Sequence, residues 1–428
     1  MGSYREITVG PRQADILGKD NRAIQMALDA MAYRGGGTVR VLPGQYTCYG
    51  PVRLRSNVRL VGDRAKTVLR MGPVVRSRLA LDADTGQKEI TPVDASGFCA
   101  GMGVTIGDKD GRSPMATMPL TIARVSDGVL HLTDYNVHDM NAERGDCVVS
   151  YFPLIHACEV DNATVDGFTL DAAPDSMDGL KAHWGGAIYM RYARHCLIRN
   201  VTARGCVGDG IRFGRSEHVT VEDCETADNY HYGIHPGSHS PWTTVRRCHI
   251  HHNGSDGLYL CWGVREGVFE DNAIHHNGGR LHRNGISIGH KDVDNVIARN
   301  HVYENAKHGL CFRVKTEGNG AHRNLIRENV IENNGSPKNK VPPALRKEPR
   351  YEVLCCGVFI RGVTHDLTFE RNIIRETRRG KAAVQHNAFY LDRGVSRVRL
   401  MGNTVSDHPG GKLADDSHSR DNDLHELS

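Results

Sequence analysis

The stretch that decides the fold is residues 248–277, CHIHHNGSDGLYLCWGVREGVFEDNAIHHN. It begins with CHIHHN and ends with NAIHHN, and the strand-like segment Gly257-Leu-Tyr-Leu lies between these two hexads. The hexads are about 24 residues apart, a period that is too short for a pair of helices and typical of stacked β coils. The stretch therefore predicts a β-solenoid, in which each coil pairs its strands with those of its neighbours.

The same unit recurs along most of the chain. Apolar strands led by Gly begin at Gly210, Gly233, Gly257, Gly285, Gly309 and Gly357. Two columns of residues accompany them, one at Asn200, Cys224, Cys248, Asn272, Asn300, Asn329, Asn372 and Asn403, and one at Asn229, Asn253, Asn277, Asn305 and Asn334. Stacked Asn side chains can bond to each other and to backbone groups at tight bends. We therefore predict an all-β fold, a parallel β-helix.

The two ends of the repeat have their own patterns. The segment from Asn21 reads as an amphipathic helix that ends before Gly35-Gly-Gly, and such a helix would cover the open end of a solenoid. We assign residues 1–75 to this cap and the first coils, and 76–150, which lack the repeat, to an inserted small β module. The β-helix with its groove follows over 151–411, and 412–428 form a polar tail that we expect to be disordered.

Composition restricts the partners. The 428 residues carry 54 basic and 50 acidic side chains, a net charge of +4, which gives no reason to expect a nucleic-acid partner. No apolar run approaches the length of a membrane span, so we expect no membrane partner. The twelve Cys residues form no zinc-like pairs. The His251-His252 and His275-His276 pairs are explained as outward turn positions of the repeat, so we predict no metal site.

The repeat also indicates which side chains face outward. The first and third residues after each Gly are apolar and point inward, so the second points outward, as do Arg212, His235 and Tyr259. Asp209 and Asp256 directly precede their Gly residues, and two coils of spacing would place them roughly 9–10 Å apart. We expect this face to be a substrate groove. The ends of the later strands add a cationic and aromatic wall: Trp262, His290, Lys291, Arg313 and Lys315.

Two groups of motifs resemble a known family. The entry segment, a helix followed by Gly-Gly-Gly, Pro-Gly-Gln-Tyr46 and Ser-Asn-Val-Arg-Leu-Val-Gly62, resembles that of pectate-lyase-like right-handed β-helices. Tyr232-Gly-Ile-His-Pro, with Asn253-Gly-Ser-Asp-Gly-Leu and Val268-Phe-Glu-Asp-Asn after it, is similar to the mannuronan C-5 epimerases. Those enzymes, and the alginate lyases that share their chemistry, carry a Tyr-Gly-Phe-Asp-Pro-His motif on the same kind of coil.

The resemblance implies a right-handed helix, with Tyr232 as the catalytic Tyr and Arg283 as the substrate-binding Arg. Three positions depart from the family pattern: His235 replaces the Asp of the motif, Gly237 replaces its His, and Cys261 stands where those enzymes carry another Asp. The sugar is therefore left open.

The resulting hypothesis is an enzyme that acts on an acidic, uronate-containing polysaccharide or oligosaccharide by proton abstraction, as a lyase or an epimerase. A base takes the proton at carbon 5, a cation stabilises the anion, and an acid protonates the leaving oxygen or the opposite ring face. The predicted catalytic residues are Tyr232, His235, Asp256, Asp209 and Arg283. The predicted substrate-binding residues are Arg212, Tyr259, Trp262, His290, Lys291, Arg313 and Lys315.

Two other functions remain open at this point. One is a glycoside hydrolase with Asp209 and Asp256 as acid and base, whose spacing leans toward the inverting range. The other is a non-catalytic, glycan-binding adhesin or tailspike-like protein. No cofactor is certain, although calcium stays a candidate because several proteins of this fold bind it. We expect a monomer or a homotrimer, in a secreted or periplasmic location, although no signal peptide is apparent at Met1.

Overall fold

The computed structural model describes residues 6–107, 119–175, 185–337, 340–341 and 355–428. These residues form two compact units, residues 1–190 with 200–212 (unit 1), and residues 191–199 with 213–428 (unit 2). The part of the chain that is described contains a single α-helix, and almost everything else is short parallel strands. No helix within the described ranges is both long enough and apolar enough to cross a membrane.

Unit 1 starts with the predicted helix and the first coils. Its elements are β1 (Glu6–Gly10), β2 (Ile16–Leu17), α1 (Asn21–Tyr33), β3 (Gly37–Val41), β4 (Gly44–Cys48), β5 (Val52–Arg53), β6 (Val58–Val61) and β7 (Thr67–Met71). The side chain of Asp20 caps α1 by accepting the backbone N–H groups of Arg22 and Ala23. The helix ends before Gly35, whose φ of 87° is in the left-handed region that Gly tolerates. The apolar face of α1 packs against β1, β3, β5 and β6, as expected for a cap.

Residues 76–149 contain a different kind of sheet. Its strands are β8 (Arg76–Arg78), β9 (Glu89–Ile90), β10 (Gly103–Gly107), β11 (Leu120–Ser126), β12 (Val129–Leu132) and β13 (Cys147–Val149). They pair antiparallel in the order β8-β13-β10-β11-β12-β9. The sheet has its own apolar core, which includes Ile90, Val104, Ile122 and Leu130.

The coils resume after this sheet with β14 (Ile155–Cys158), β15 (Thr164–Asp171), β16 (Gly186–Arg191), β17 (Leu197–Arg204) and β18 (Asp209–Gly214), the last three of which carry residues of both units. Unit 2 then adds seven cycles of three strands. They are β19 (Thr220–Glu222), β20 (Glu225–Ala227), β21 (Ile234–Gly237), β22 (Thr244–Arg246), β23 (His249–His251), β24 (Leu258–Tyr259), β25 (Val268–Glu270), β26 (Ala273–His275), β27 (Ile286–Ile288), β28 (Val296–Ala298), β29 (His301–Tyr303), β30 (Leu310–Phe312), β31 (Leu325–Arg327), β32 (Val330–Glu332), β33 (Cys355–Ile360), β34 (Thr368–Glu370), β35 (Ile373–Arg375), β36 (Gln385–Leu391), β37 (Arg399–Met401), β38 (Thr404–Ser406) and β39 (Leu413–Asp415). Short 3-10 helices lie at Glu317–Asn319 and Gly380–Ala382.

Strands three apart in unit 2 pair in parallel and in register, which makes the unit a parallel β-helix. One column of aligned core residues runs through the strands from β21 to β36: Ile234, Leu258, Ile286, Leu310, Val358 and Phe389. Each of these side chains is fully buried. The alternation predicted from the Gly-led strands therefore places the core correctly.

The predicted Asn ladders are confirmed from Asn272 and from Asn229 onward, whereas Asn200, at the start of the first predicted column, donates to Asp166 instead. The Nδ2 of Asn272 donates to Oδ1 of Asn300 at 2.8 Å, and the same bond continues through Asn329, Asn372 and Asn403. The second ladder runs from Asn229 through Asn253, Asn277 and Asn305 to Asn334, and ends on the side chain of Gln385. The bond between Asn295 and Asn324 belongs to a third column that the sequence analysis missed. These bonds satisfy polar groups at the bends of the coils.

One expectation needs correction. Residues 412–428, which we expected to be disordered, contain β39, which pairs in parallel with β36. The outward face of the later coils is also not uniformly polar, because Cys311, Cys356 and Phe359 form a buried apolar cluster against Tyr390. The outward face of these later coils thus mixes apolar side chains with polar ones, since the Tyr390 hydroxyl also donates to Asp416.

Candidate active site

Three stacked turns aim side chains into one cavity of unit 2. The turns follow β21, β24 and β27, and their residues His239, Trp262 and Lys291 all have a φ of 66–67°. Backbone bonds join the turns: the N–H of His239 donates to the carbonyl of Trp262, and the N–H of Gly263 donates to that of His290. Non-glycine residues in the left-handed region are uncommon, and they persist where the surrounding structure holds them. Here the stacked turns hold them.

The cavity has a volume of about 540 Å³. Its lining combines an aromatic ring, cationic groups and imidazoles: His239, Trp262, Gly263, His290, Lys291, Val314, Lys315, Thr316 and Asn319. The Trp262 side chain is 56% exposed, and its ring centroid lies 5.4 Å from that of His290. An exposed aromatic face beside two Lys residues can receive a sugar ring and an acidic group. Because this lining lacks carboxylates, it offers none of the acidic oxygen ligands that calcium takes.

A buried ion pair lies next to the cavity. Asp292 is fully buried and accepts backbone N–H groups from Gly289, Gly263 and Val264 at 2.8–3.1 Å. Its Oδ2 is 3.4 Å from Nη2 of Arg313. Burial raises the pKa of Asp292 to about 7, while Arg313 and the three backbone donors favour the carboxylate. Asp292 therefore fixes two of the turns and holds Arg313 in place.

The guanidinium of Arg313 is only partly hydrogen-bonded. Its Nη2 donates to the carbonyl of Leu260 at 2.6 Å, but its buried Nε and Nη1 have no hydrogen-bond partner among the described residues. A Cβ added at Gly289 would lie 3.1 Å from Nε of Arg313, so the Gly leaves the room that the guanidinium occupies. Because both atoms are buried, Arg313 contributes a positive charge beside the cavity rather than hydrogen-bond donors that a ligand could reach.

An aromatic cluster continues from Arg313. Its Cζ lies 4.2 Å from the ring centroid of Tyr259, and the ring of Tyr232 stacks on Tyr259 at 4.0 Å. The ring of His235 meets both Tyr rings edge-on, at 5.0 and 5.1 Å. His235, which we predicted to face the groove, is thus outside the core and yet largely buried, with 9% of its surface exposed.

Cys261 connects the cluster with the cavity. Its Sγ lies 3.8 Å from the Tyr259 hydroxyl and 3.4 Å from Nδ1 of His290. Burial, with Arg313 and Lys315 nearby, lowers the pKa of His290 to about 4. The imidazole is therefore neutral at pH 7 and can accept a proton. Burial also lowers the pKa of Lys315, with a further contribution from Arg313, and raises that of the Tyr259 hydroxyl.

Asp256, a predicted acid or base, is held by several donors. Its Oδ1 accepts the backbone N–H and the Nδ2 of Asn284 at 3.1 and 2.7 Å, and the Ser287 hydroxyl at 2.8 Å. It is 2% exposed. This carboxylate ties β24 to the next coil, which explains its position without a catalytic role. Arg283, which directly precedes Asn284, is exposed, and its backbone N–H donates to the carbonyl of Gly278.

Asp209 and Arg212 belong to unit 1. There the Nε of Arg212 lies 4.0 Å from Oδ2 of Asp209, and its Cζ is 5.5 Å from the ring centroid of Tyr189. Tyr189 in turn lies 5.8 Å from the His156 ring. The two predicted residues thus form an ion pair within their own unit.

The cavity brings together four of the predicted substrate-binding residues, Trp262, His290, Lys291 and Lys315. His239 also lines the cavity and Asp292 lies next to it, and neither residue is among the predicted site residues. The signal for Asp292 was its place three residues after Gly289, where Asp commonly accepts backbone N–H groups of a turn.

Comparison with known proteins establishes the handedness of the fold. Residues 186–337 match the family model of the right handed beta helix region. The chain is similar to the A-module of the Azotobacter vinelandii mannuronan C-5 epimerase AlgE4, with 15% identity and a TM-score of 0.57 over 96% of this chain and 99% of that one. The AlgE6 A-module of the same organism has 15% identity and a TM-score of 0.54, over 92% of this chain and 93% of that one. The Dettilon tailspike protein gp208 has 13% identity and a TM-score of 0.60, over 98% of this chain and 67% of that one.

No curated protein sequence matches the chain. Likeness at such low identity shows the fold alone, which is the predicted right-handed parallel β-helix.

Proposed function

We propose that the protein is a carbohydrate-active enzyme that acts on a uronate-containing polysaccharide or oligosaccharide by abstracting the proton at carbon 5, as a lyase or an epimerase. The observation that carries the proposal is the cavity of unit 2, where Trp262, Lys291 and Lys315 adjoin Arg313 and a neutral His290. The A-modules with a similar fold are named for a carbon-5 epimerisation of mannuronan. That supports the reaction class and leaves the sugar open.

Substrate binding would use charge and stacking. The Trp262 ring offers a face for a sugar, and the buried Arg313 places a positive charge beside the cavity, which favours the uronate carboxylate. Lys291 and Lys315 add positive charge at the same cavity. The net charge of the chain is only +4, so anion recognition would depend on this local concentration rather than on the field of the whole protein.

The reaction needs a base, a stabilising cation and an acid. We assign the base to His290, which is neutral at pH 7 and lines the cavity. Arg313 would stabilise the negative charge that grows on the carboxylate as the carbon-5 proton leaves. Tyr232, which the family resemblance offers as the catalytic Tyr, stacks on Tyr259 beside Arg313 and is our candidate for the acid.

The two outcomes differ only in the second half of the reaction. In a lyase, the electrons of the broken carbon 5–H bond form a carbon 4–carbon 5 double bond, and the carbon 4–oxygen bond breaks toward the protonated leaving oxygen. In an epimerase, a proton returns to carbon 5 from the opposite face. An anionic polymer as substrate is also consistent with the secreted or periplasmic location that we expect from the sequence.

The test is exchange at carbon 5 in D2O, followed by NMR over a panel of uronate polymers, together with ultraviolet absorbance for an unsaturated product. An epimerase leaves deuterium at carbon 5, whereas a lyase product has no hydrogen at carbon 5 and is recognised by the rise in absorbance. We expect His290→Gln to lower kcat by about 100-fold or more, the range for loss of a general base. Lys412→Ala, which changes an exposed Lys remote in sequence from the cavity, serves as the control.

The proposal fails if no polymer of the panel shows either signal. Reducing ends without exchange or absorbance would instead indicate hydrolysis. Binding of a polymer without any turnover would indicate a glycan-binding protein.

A further inference from the structure

A second group of reactive side chains lies on β20, β23 and β26, away from the cavity. Glu225, His249 and His251 each offer a ligand atom, and these atoms lie within 4.8 Å of one another. His249 and His251 flank the fully buried Ile250 on one strand, so both side chains point away from the core. Glu225 is the register partner of His249 on the preceding coil. Three ligand atoms from two adjacent coils thus converge outside the core.

His275 extends the group to a third coil. It is the register partner of His251, and its Nε2 lies 2.6 Å from Nε2 of His249. His275 is only 8% exposed.

The contacts within this group are unusual because basic nitrogen faces basic nitrogen. Besides the 2.6 Å contact, Nδ1 of His251 lies 2.8 Å from Nδ1 of His252. Each such contact can place only one proton between two nitrogens. A cation would accept the lone pairs of the two Nε2 atoms of His249 and His275 at once, whereas the Nδ1 contact of His251 lies outside such a site.

The chain supplies an internal comparison. Glu317, His322 and His365 form another compact group in unit 2. There, Nε2 of His322 donates to the backbone carbonyl of Glu317 at 2.8 Å. The Nδ1 of His322 accepts the backbone N–H of His365 at 3.2 Å. The two ring nitrogens of His365 contact carboxylates of Asp366 and Glu317 at 2.6 and 2.7 Å. Each ring nitrogen of these two His residues thus has a partner of opposite polarity. In the first group the His251–Glu225 contact at 3.2 Å is of this kind too, and the difference is the nitrogen–nitrogen contact of His249 with His275.

We propose that Glu225, His249 and His251 form a binding site for one divalent transition-metal ion of the zinc type, with His275 as a fourth nitrogen donor. Zinc takes imidazole nitrogens at about 2.0–2.1 Å and carboxylate oxygens at about 2.0–2.2 Å in a tetrahedral array. Such bonds separate neighbouring ligand atoms by about 3.3 Å. The 3.2 Å distance from Glu225 Oε1 to His251 Nε2 already has this value, and the Nε2 atoms of His249 and His275 would move apart by less than an ångström. The ion would join three successive coils and stabilise their stacking.

The experiment is calorimetric titration of the full, chelator-treated chain with zinc chloride, with the melting temperature followed in parallel. We expect one zinc ion per chain and a melting temperature that rises with zinc concentration, because the ion binds only the folded coils. His249→Ala and His251→Ala should each weaken zinc binding at least 10-fold, and the double variant should lose the zinc-dependent rise. His365→Ala, in the comparison group, is the matched control and should bind zinc as the unchanged protein does.

Because His249 and His251 point away from the core, the double variant should melt in chelator at the temperature of the unchanged protein. Zinc binding that survives in a folded double variant overturns the proposal. So does binding that only His365→Ala removes, or the absence of saturable binding. The outcome is independent of the activity test above, which uses no residue of this group.

Discussion

Replacing Asn300 by Ala tests whether the Asn ladders hold the coils together. Asn300 is 1% exposed, and its side chain makes four hydrogen bonds. Its Nδ2 donates to the Phe269 carbonyl at 2.9 Å and to Oδ1 of Asn329 at 3.0 Å. Its Oδ1 accepts the backbone N–H and the Nδ2 of Asn272 at 3.1 and 2.8 Å. The substitution removes all four bonds and leaves the buried N–H of Asn272 without its acceptor.

The expected cost follows from the contribution of a buried hydrogen bond. At about 1 kcal/mol for each bond, the four losses lower the free energy of unfolding by about 4 kcal/mol, with the orphaned N–H acting in the same direction. Denaturant unfolding, followed by tryptophan fluorescence, measures this loss as a lower midpoint at an unchanged m value. Two of the three Trp residues, Trp242 and Trp262, lie in unit 2, so most of the signal reports on the unit that carries the ladder.

The control is Asn319→Ala. Asn319 is exposed, and its side chain makes one 3.3 Å bond to the Thr316 hydroxyl. We expect a change below about 0.5 kcal/mol, as for most surface substitutions. A loss below about 1 kcal/mol in Asn300→Ala would refute the view that the ladder stabilises the stack, and would assign the stacking to the apolar column.

Three further outcomes follow from the packing. Phe312→Ala removes a fully buried ring and should cost about 3–5 kcal/mol of unfolding free energy in the same assay, and a cost below about 1 kcal/mol would contradict its place in the core. Asp20→Ala removes the cap of α1 and should cost about 1 kcal/mol, whereas Asp20→Asn, which keeps the acceptor, should cost less. His308 is 1% exposed, its Nδ1 accepts the N–H of Cys356, and burial holds its pKa well below the usual value of 6.5. Only the unfolded chain then takes up a proton at His308, so this residue does not reduce the free energy of unfolding above about pH 6.5 and reduces it by about 1.4 kcal/mol per pH unit below that value. His308→Gln should therefore reduce the slope of the free energy of unfolding against pH, between pH 7 and 5, by about one proton. An unchanged slope would show that His308 is protonated in the folded chain.

The sequence predicts the stacked coils of this protein well, because their core depends on the alternation of side chains along each strand and on the register between coils. Placing Ile234 and Pro236 in the core and His235 outside it needs only the period of two, and the structure agrees. The Asn columns follow from spacing alone. Both predictions work because identical positions in neighbouring coils have identical surroundings.

The candidate site is harder to predict, because it lies in the turns. The alternation rule ends where the strand ends, and the direction of His239 or Trp262 depends on left-handed backbone angles that spacing does not reveal. The roles of buried polar residues were equally hidden. The sequence could not show that Asp256 would be occupied by Asn284 and Ser287, or that Asp292 would anchor Arg313.

The ladders also separate what is constant in this chain from what can vary. The bonded Asn residues are 24, 28 and 29 residues apart in successive parts of the stack, yet the Nδ2–Oδ1 distance stays at 2.8–3.0 Å. The additional residues are therefore looped out at the turns. Twelve residues, 313–324, separate β30 from β31, against seven, 289–295, between β27 and β28, and this longer segment supplies Lys315, Thr316 and Asn319 to the cavity. The length of a turn thus does not change the register of the coils that it connects. Turns that contact a ligand can therefore be exchanged, in evolution or by design, while the bonds between the coils keep the scaffold stable.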